Sequence, residues 1–447
     1  MNAALSTLLT SALLALSEGL PAEPSPVLTP AGAVARALAQ HPEAGAARAE
    51  ERRAESALAE AKAGLRPRVD LTGSVIQFQE PMVVTPIHGF DFQNQPEFDD
   101  TLIQSGLHLD HTLWDGGARR GAIAREEAQA GAAASGTESV EQALVARTLA
   151  VYLRAITLQA TLEAADWRID AVAAEGKRVE QLLAVGRVPE VDLRRAEAAL
   201  AAARASRVRL AAALDTTERD LARLVGLGDG EVEAGALVAV APPAAGLPPR
   251  EALYGELEES PALARARQAV AAAEAAVALA RGARRPRLAV VGDLKEYGSS
   301  EGDLDLEWNA GFQVAVPVFR GGALGDRVAQ AEASRDAAAE RLRSARLDAR
   351  AEVDRALAAL VEARAREAAL AEAVAQYEEV VRIERLRLET GVGVQADYLD
   401  AEAALLDARA GLVEARNAAV GARVEVARAT GNLDLRWVEE SFPEDER

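Results

Sequence analysis

The sequence predicts a mainly α-helical fold with four β-strands, made by using one helix–strand–strand–long helix–turn–helix unit twice. Three observations carry this. The chain repeats itself at a fixed offset, its hydrophobic period changes at matching places in both halves, and its composition suits long helices. Of 447 residues, 49% are hydrophobic but only 4% aromatic. Alanine and the small aliphatics therefore carry the apolar content, beside Leu, Glu and Arg.

The duplication shows most clearly when Leu182–Ala205 is set on Arg387–Ala410, where 11 of 24 positions are identical. Gly186 meets Gly391, Asp192 meets Asp397, and Ala-Glu-Ala-Ala-Leu at 196–200 recurs at 401–405. The same shift sets Trp114-Asp-Gly-Gly-Ala118 on Phe319-Arg-Gly-Gly-Ala323, and Gly226 on Gly431. Upstream, Pro67 meets Pro286 at a shift of 219, so the first half carries 219 − 205 = 14 extra residues near Pro81–Asp100.

The elements follow in order. Residues 1–22 read as a secretory signal peptide: 3–16 are apolar and uncharged, and small residues and prolines follow. No Lys or Arg precedes Arg36, so a short uncleaved apolar helix is the alternative. The first repeat spans 31–227. Its opening helix runs from Ala31 to Leu65 and is ended by Gly64 and Pro67. Apolar and polar residues then alternate over 67–79 and 102–114, predicting two strands. A proline-free helix follows over 121–184, with Val145, Leu149, Tyr152 and Ile156 at coiled-coil spacing. After Gly186 a return helix runs to Gly226, and its length lets it stack end to end with the opening helix beside the long one. Residues 228–250, rich in Gly and Pro, form a linker. The second repeat, 251–432, has strands over 286–297 and 305–319 and a long helix over 325–389, with Leu370, Val374, Tyr377 and Val381 spaced as before. Residues 433–447 form an acidic tail, in which Glu439 to Glu446 reads as a disordered end.

The strands are long enough to cross a membrane at a tilt. Nine aromatics, among them Phe78, Phe90, Phe92, Trp114, Trp308 and Phe319, fall within 67–114 and 286–320. A membrane barrel girdle and a soluble sandwich core both account for them.

Composition excludes several classes. With 50 Lys+Arg against 70 Asp+Glu, the chain lacks the basic balance of a nucleic-acid binder. Without cysteine there are no disulfides, thiolate metal sites or cysteine lipid anchors. No apolar run approaches the roughly 20 residues of a membrane helix. His108 and His111 point to opposite faces of a strand, so they do not chelate together, and no metal or cofactor is expected. No nucleophile, phosphate-loop or zincin motif occurs, so an enzyme is not expected.

Taken in order, the basic-proline strand starts, Trp114-Asp-Gly-Gly117 and Phe319-Arg-Gly-Gly322, the long helices, and the Gly-x5-Asp turns before Ala-Glu-Ala-Ala-Leu resemble the TolC family of outer-membrane efflux proteins. The resemblance covers nearly the whole mature chain. It implies a homotrimer whose strands close a 12-stranded β-barrel in outer-membrane lipid, joined to a long α-helical barrel in the periplasm. Such a protein is a passive exit duct of a tripartite efflux or type I secretion system. It works with a periplasmic adaptor and an inner-membrane transporter of RND or ABC type. A periplasmic adaptor, or a soluble coiled-coil scaffold, is the alternative reading.

The resemblance also implies site residues. Asp397 and Asp400, with Asp192 at the matching first-half position, would ring the periplasmic entrance. Gly186 and Gly391 would form the entrance turns. Gly116, Gly117, Gly321, Gly322 and Pro317 would mark the strand-to-helix transition. Some relatives lock the entrance with a tyrosine and an arginine flanking the second turn. Those positions are Leu388 and Gly393 here, so another pair, involving Arg187 or Arg195, is expected.

Overall fold

The computed structural model describes residues 28–84, 98–228, 237–238, 249–300 and 304–443. The signal segment 1–22, Phe90 and Phe92, most of the 14 extra residues and most of the 228–250 linker lie outside them. The first repeat contains α1 (Pro30–Gln40), α2 (Pro42–Ala63), β1 (Arg68–Val83), β2 (Phe98–Trp114), α3 (Ala118–Ala184) and α4 (Glu190–Leu224). The second contains α5 (Arg250–Glu256), α6 (Pro261–Gly282), β3 (Arg287–Gly298), β4 (Leu304–Ala315), α7 (Ala323–Glu389) and α8 (Gln395–Thr430); α9 (Leu435–Ser441) follows. The chain divides into two compact units: 47–137 with 261–347, and 1–46 with 138–260 and 348–447.

The first of these units holds the strands. They form one antiparallel sheet in chain order, leaving β1 and β4 as edges. Register sorts the alternating side chains into two unlike faces. On one face Leu71, Leu107, Leu294 and Trp308 make a continuous row, and Val290 pairs with Phe312. Leu71, Trp308 and Phe312 are 76%, 77% and 75% exposed, an apolar surface too broad to be left to water. The other face is polar: Asp70, His108, Asp293 and Asn309 share a row, with His108 Nδ1 2.9 Å from Asp293 Oδ1. Arg287 donates to Asp110 at 3.2 Å on that face, and Arg68 lies 2.7 Å from Asp70. Two polar pairs interrupt the apolar face: the Ser105 hydroxyl donates to Glu296 at 3.2 Å, and the Thr101 hydroxyl donates to Gln77 at 2.8 Å.

Alternation extends β4 to Phe319, but the ladder stops at Ala315. Pro317 has no N–H to donate, and Val318 and Phe319 stand exposed beyond the sheet. The adjoining helices pack closely through glycine. A Cβ on Gly121 would lie 2.6 Å from the Leu279 nitrogen, and one on Gly282 would lie 2.6 Å from the Ala118 nitrogen. The start of α3 and the end of α6 therefore meet backbone to backbone, with no room for a side chain. Arg281 donates to Glu332 at 2.6 Å, tying α6 to α7.

The other unit is helical. Its core joins Val34 of α1, Val145, Leu149 and Leu153 of α3, Val420 and Val424 of α8, and the C-terminal Leu433, Val438 and Phe442. This corrects the reading of Glu439–Glu446 as a disordered end over its first residues, since α9 runs to Ser441 and Phe442 is buried. The Asp434 side chain accepts from the Trp437 N–H at 2.7 Å and caps α9, which then buries Val438. The acidic residues around it had hidden two apolar anchors.

The opening helix is also not continuous from 31 to 65. His41 is extended (φ −70°, ψ 132°) because Pro42 disfavours the helical region for the residue before it. Ala37, Ala44, Leu144 and Leu224 form one cluster, so the end of α4 meets the α1–α2 junction beside α3, as end-to-end stacking requires.

The long helices α3 and α7 have 67 residues each, about 100 Å at 1.5 Å per residue. In α3 the seam residues Val145, Leu149 and Tyr152 are buried, whereas Tyr377 of α7 is 38% exposed. One stretch of α3 is apolar enough by composition to cross a membrane, with mean hydropathy 1.2 over 18 residues, but half of it is buried in the protein. Tyr152 does more than fill space. Its hydroxyl donates to the Leu28 carbonyl at 2.7 Å and accepts from the Val238 N–H at 2.9 Å, pinning the residues before α1 to the linker. Burial pushes that hydroxyl's pKa up to about 12.

Candidate entrance site

The two hairpin turns are built alike. Leu183 and Leu388 carbonyls accept from Gly186 and Gly391 N–H groups, and Arg187 and Val392 N–H groups reach back to Leu182 and Arg387 at 2.9 and 3.0 Å. This double bond pattern needs a left-handed residue. Gly186 (φ 71°) and Gly391 (φ 78°) supply it, and a Cβ at either would meet nothing within 4 Å. Backbone conformation alone demands glycine there. The strand-to-helix positions Gly116, Gly117, Gly321 and Gly322 also have positive φ.

Asp397 and Asp400 lie in the first two turns of α8, on one helix face. Both are exposed, and neither has an ion-pair or hydrogen-bond partner among the described residues. Asp192 differs. It is half-buried, and Arg195 of the same helix lies 3.6 Å away. Arg195 is thereby engaged within its own hairpin. Leu388 packs against the cluster of Val381, Tyr398, Ala401 and Leu405. Gly393 is confined too, since a Cβ there would lie 2.9 Å from Arg387 Cβ.

The polar contacts that do link helices beside the turn fall on residues the sequence reading did not single out. Arg385 of α7 donates to the Tyr398 hydroxyl of α8 at 3.3 Å, and its guanidinium stands 5.8 Å from the ring centre. The Tyr398 hydroxyl donates onward to Glu402 Oε1, also at 3.3 Å. Glu402 Oε2 is buried with no hydrogen-bond partner. Burial pushes the Glu402 carboxyl up and the Glu175 carboxylate of α3 adds to this, against the Tyr398 hydrogen bond and the Arg385 and Arg168 charges. Glu175 is held by Arg178, at 2.9 Å to both oxygens. Burial also pushes the Tyr398 hydroxyl up. The one available signal was Tyr398 itself, an apolar-faced tyrosine between two aspartates.

Further along the same helices the packing loosens. A cavity of about 1050 Å³ is lined by Leu153 and Thr157 of α3, Leu210 of α4, Leu370 of α7, and Gly411 and Asn417 of α8. Asn417 bridges it, donating to Thr157 Oγ1 at 2.7 Å. Arg168–Asp407 and Arg409–Glu378 pairs, at 3.6 and 2.6 Å, tie α8 to its neighbours nearer the turn. Among the described residues, no three His, Asp or Glu side chains are grouped to hold a metal.

Solved structures share this fold. The Vibrio cholerae outer membrane protein VceC is 20% identical, with 89% of this chain and 95% of that one aligned at a TM-score of 0.75. The Campylobacter jejuni CmeC outer membrane channel is 18% identical over 93% and 90%, at 0.77. The Neisseria gonorrhoeae MtrE outer membrane channel, in its open state, is 17% identical over 93% and 94%, at 0.75. No curated protein sequence matches the chain. The outer membrane efflux protein family matches residues 33–227 and 252–432, which are the two repeats. The chain belongs to the outer membrane efflux protein family, and is an exit duct of the outer membrane that extends into the periplasm.

Proposed function

We propose that three copies of the chain close one duct, with twelve strands in the membrane and the long helices below them. The observation that carries this is the sheet. Four strands leave β1 and β4 with unpaired edges, and a bilayer supplies no water to satisfy them. Joining β4 of one copy to β1 of the next removes every edge, faces the apolar rows to lipid, and turns the polar face to the lumen. A periplasmic adaptor and an inner-membrane transporter, of RND or ABC type, would deliver cargo at the helical end. The duct itself holds no energy source.

At that end Asp397 and Asp400, with Asp192 beside them, line the entrance. What supports this is their place just after the turn and the lack of partners for the first two. Three copies of Asp397 and Asp400 would make two carboxylate rings that favour cations. Asp192, paired with Arg195, contributes less field. Planar-bilayer recording of Asp397→Ala with Asp400→Ala tests the assignment. The reversal potential in a salt gradient should shift toward non-selectivity while the protein still runs as a heat-modifiable trimer. Unchanged cation selectivity would remove both aspartates from the entrance.

A further inference from the structure

The two ends of the sheet are electrically unlike. At the end where strands meet helices, Arg66 precedes β1, Arg120 opens α3, Arg284 precedes β3 and Arg320 follows β4. All four are exposed, and none has a side-chain hydrogen bond or ion pair among the described residues. Three of the nearby acids are already engaged, Asp70 with Arg68, Asp110 with Arg287, and Asp115 with Arg119, which leaves Asp326 in the first turn of α7. The far end carries Glu80, Asp99, Asp100 and Asp305 instead. In a chain of net charge −20, four unpaired arginines at one level are a local reversal of sign.

A cavity of about 380 Å³ sits at this level, at the end of β2. Leu65, His111, Leu113, Trp114, Arg119 and Arg120 line it. Its walls join the apolar Leu65, Leu113 and Trp114 to the Arg119 and Arg120 guanidiniums, and include Thr112 and the Asp115 carboxylate, which Arg119 already holds at 2.8 Å. His111 Nδ1 is buried there without a hydrogen-bond partner. Leu113 and Trp114 are 46% and 47% exposed, and continue into the apolar face of the sheet. An occupant must therefore join an anionic head to a long apolar tail.

We propose that this arginine level binds the headgroups of anionic phospholipids in the periplasmic leaflet of the outer membrane, with the cavity at Trp114 as its best-formed seat. The guanidiniums would take phosphate oxygens in forked hydrogen bonds, and the acyl chains would run along Leu113, Trp114 and the apolar rows. Tryptophan at this level is the usual headgroup anchor. The inference rests on outer-membrane location and is independent of the entrance assignment or any adaptor.

Native mass spectrometry tests it, on protein released from nanodiscs of equal phosphatidylglycerol and phosphatidylcholine. The wild-type trimer should retain phosphatidylglycerol with a preference of about tenfold. Replacing Arg66, Arg120, Arg284 and Arg320 together by Gln should bring the preference near one while bilayer conductance persists. Should that variant fail to insert, Arg120→Gln alone should lower the preference and Arg120→Lys should restore part of it. Equal retention of the two lipids by the wild type, or the same preference in the Gln variants, would overturn the proposal. So would loss of the preference on adding inorganic phosphate at about 10 mM, which would mark a phosphate site rather than a lipid one.

Discussion

Glu402 and Glu197 occupy the same place in the two repeats, yet their surroundings have diverged. Glu197 pairs with Arg194 at 3.0 Å on an exposed helix face. Glu402 is drawn inward by Tyr398 and keeps one oxygen unsatisfied. Its carboxyl binds a proton more tightly in the folded protein than in the unfolded chain, since burial raises it from 4.5. The sign follows: its locale is most stable below the unfolded value and loses stability as pH rises through the raised folded value. Amide exchange over Arg385–Glu402, corrected for intrinsic rates, should therefore speed up as pH rises above about 4.5. Glu402→Gln should flatten that slope. An unaltered slope in the variant would assign it elsewhere, since Glu175 and Arg168 also face this group.

Among the elements, the strands make the sharpest demand on sequence. Leu71 and Gln313 both stand exposed on the sheet, but on opposite faces. Leu71→Arg would put a charge into lipid and should cost about 2–4 kcal/mol if it lies near the midplane. Gln313→Arg, on the polar face, should cost little. Urea unfolding from vesicles compares them directly, and equal losses would deny that the two faces meet different solvents.

The helix and strand periods were legible because each face is paid out residue by residue along the chain. Boundaries and long-range contacts were less so. Pro42 was visible, but alanine-rich helical sequence on either side masked the break at His41. Alternation carried β4 past Pro317 because side-chain pattern outlasts the hydrogen-bond ladder. The acidic character of 439–446 concealed Val438 and Phe442. Arg385, Tyr398 and Glu402 were out of reach for another reason. What makes them a cluster is the closure of one hairpin against α3, which no spacing within α8 encodes.

On the scale of the molecule, one core draws on the beginning, middle and end of the described chain: Val34, Val145 and Phe442 share a cluster. The C-terminal segment is thus a structural member of the helical unit. Phe442→Ala should lower its stability by about 3–5 kcal/mol, through lost burial and the cavity left behind. Thermal unfolding followed by circular dichroism would show it, and an unchanged midpoint would return 433–447 to the status of a tail. The two long helices impose a second condition. Each runs 67 residues from the alanine directly after its glycine pair. An insertion of one residue in α3 would advance everything after it by about 1.5 Å and rotate it by about 100°. Its counterpart in α7 would stay in phase. Length is therefore a shared gauge: insertions and deletions should survive only when both halves change together, and the duplicated gene must evolve as a matched pair of rulers.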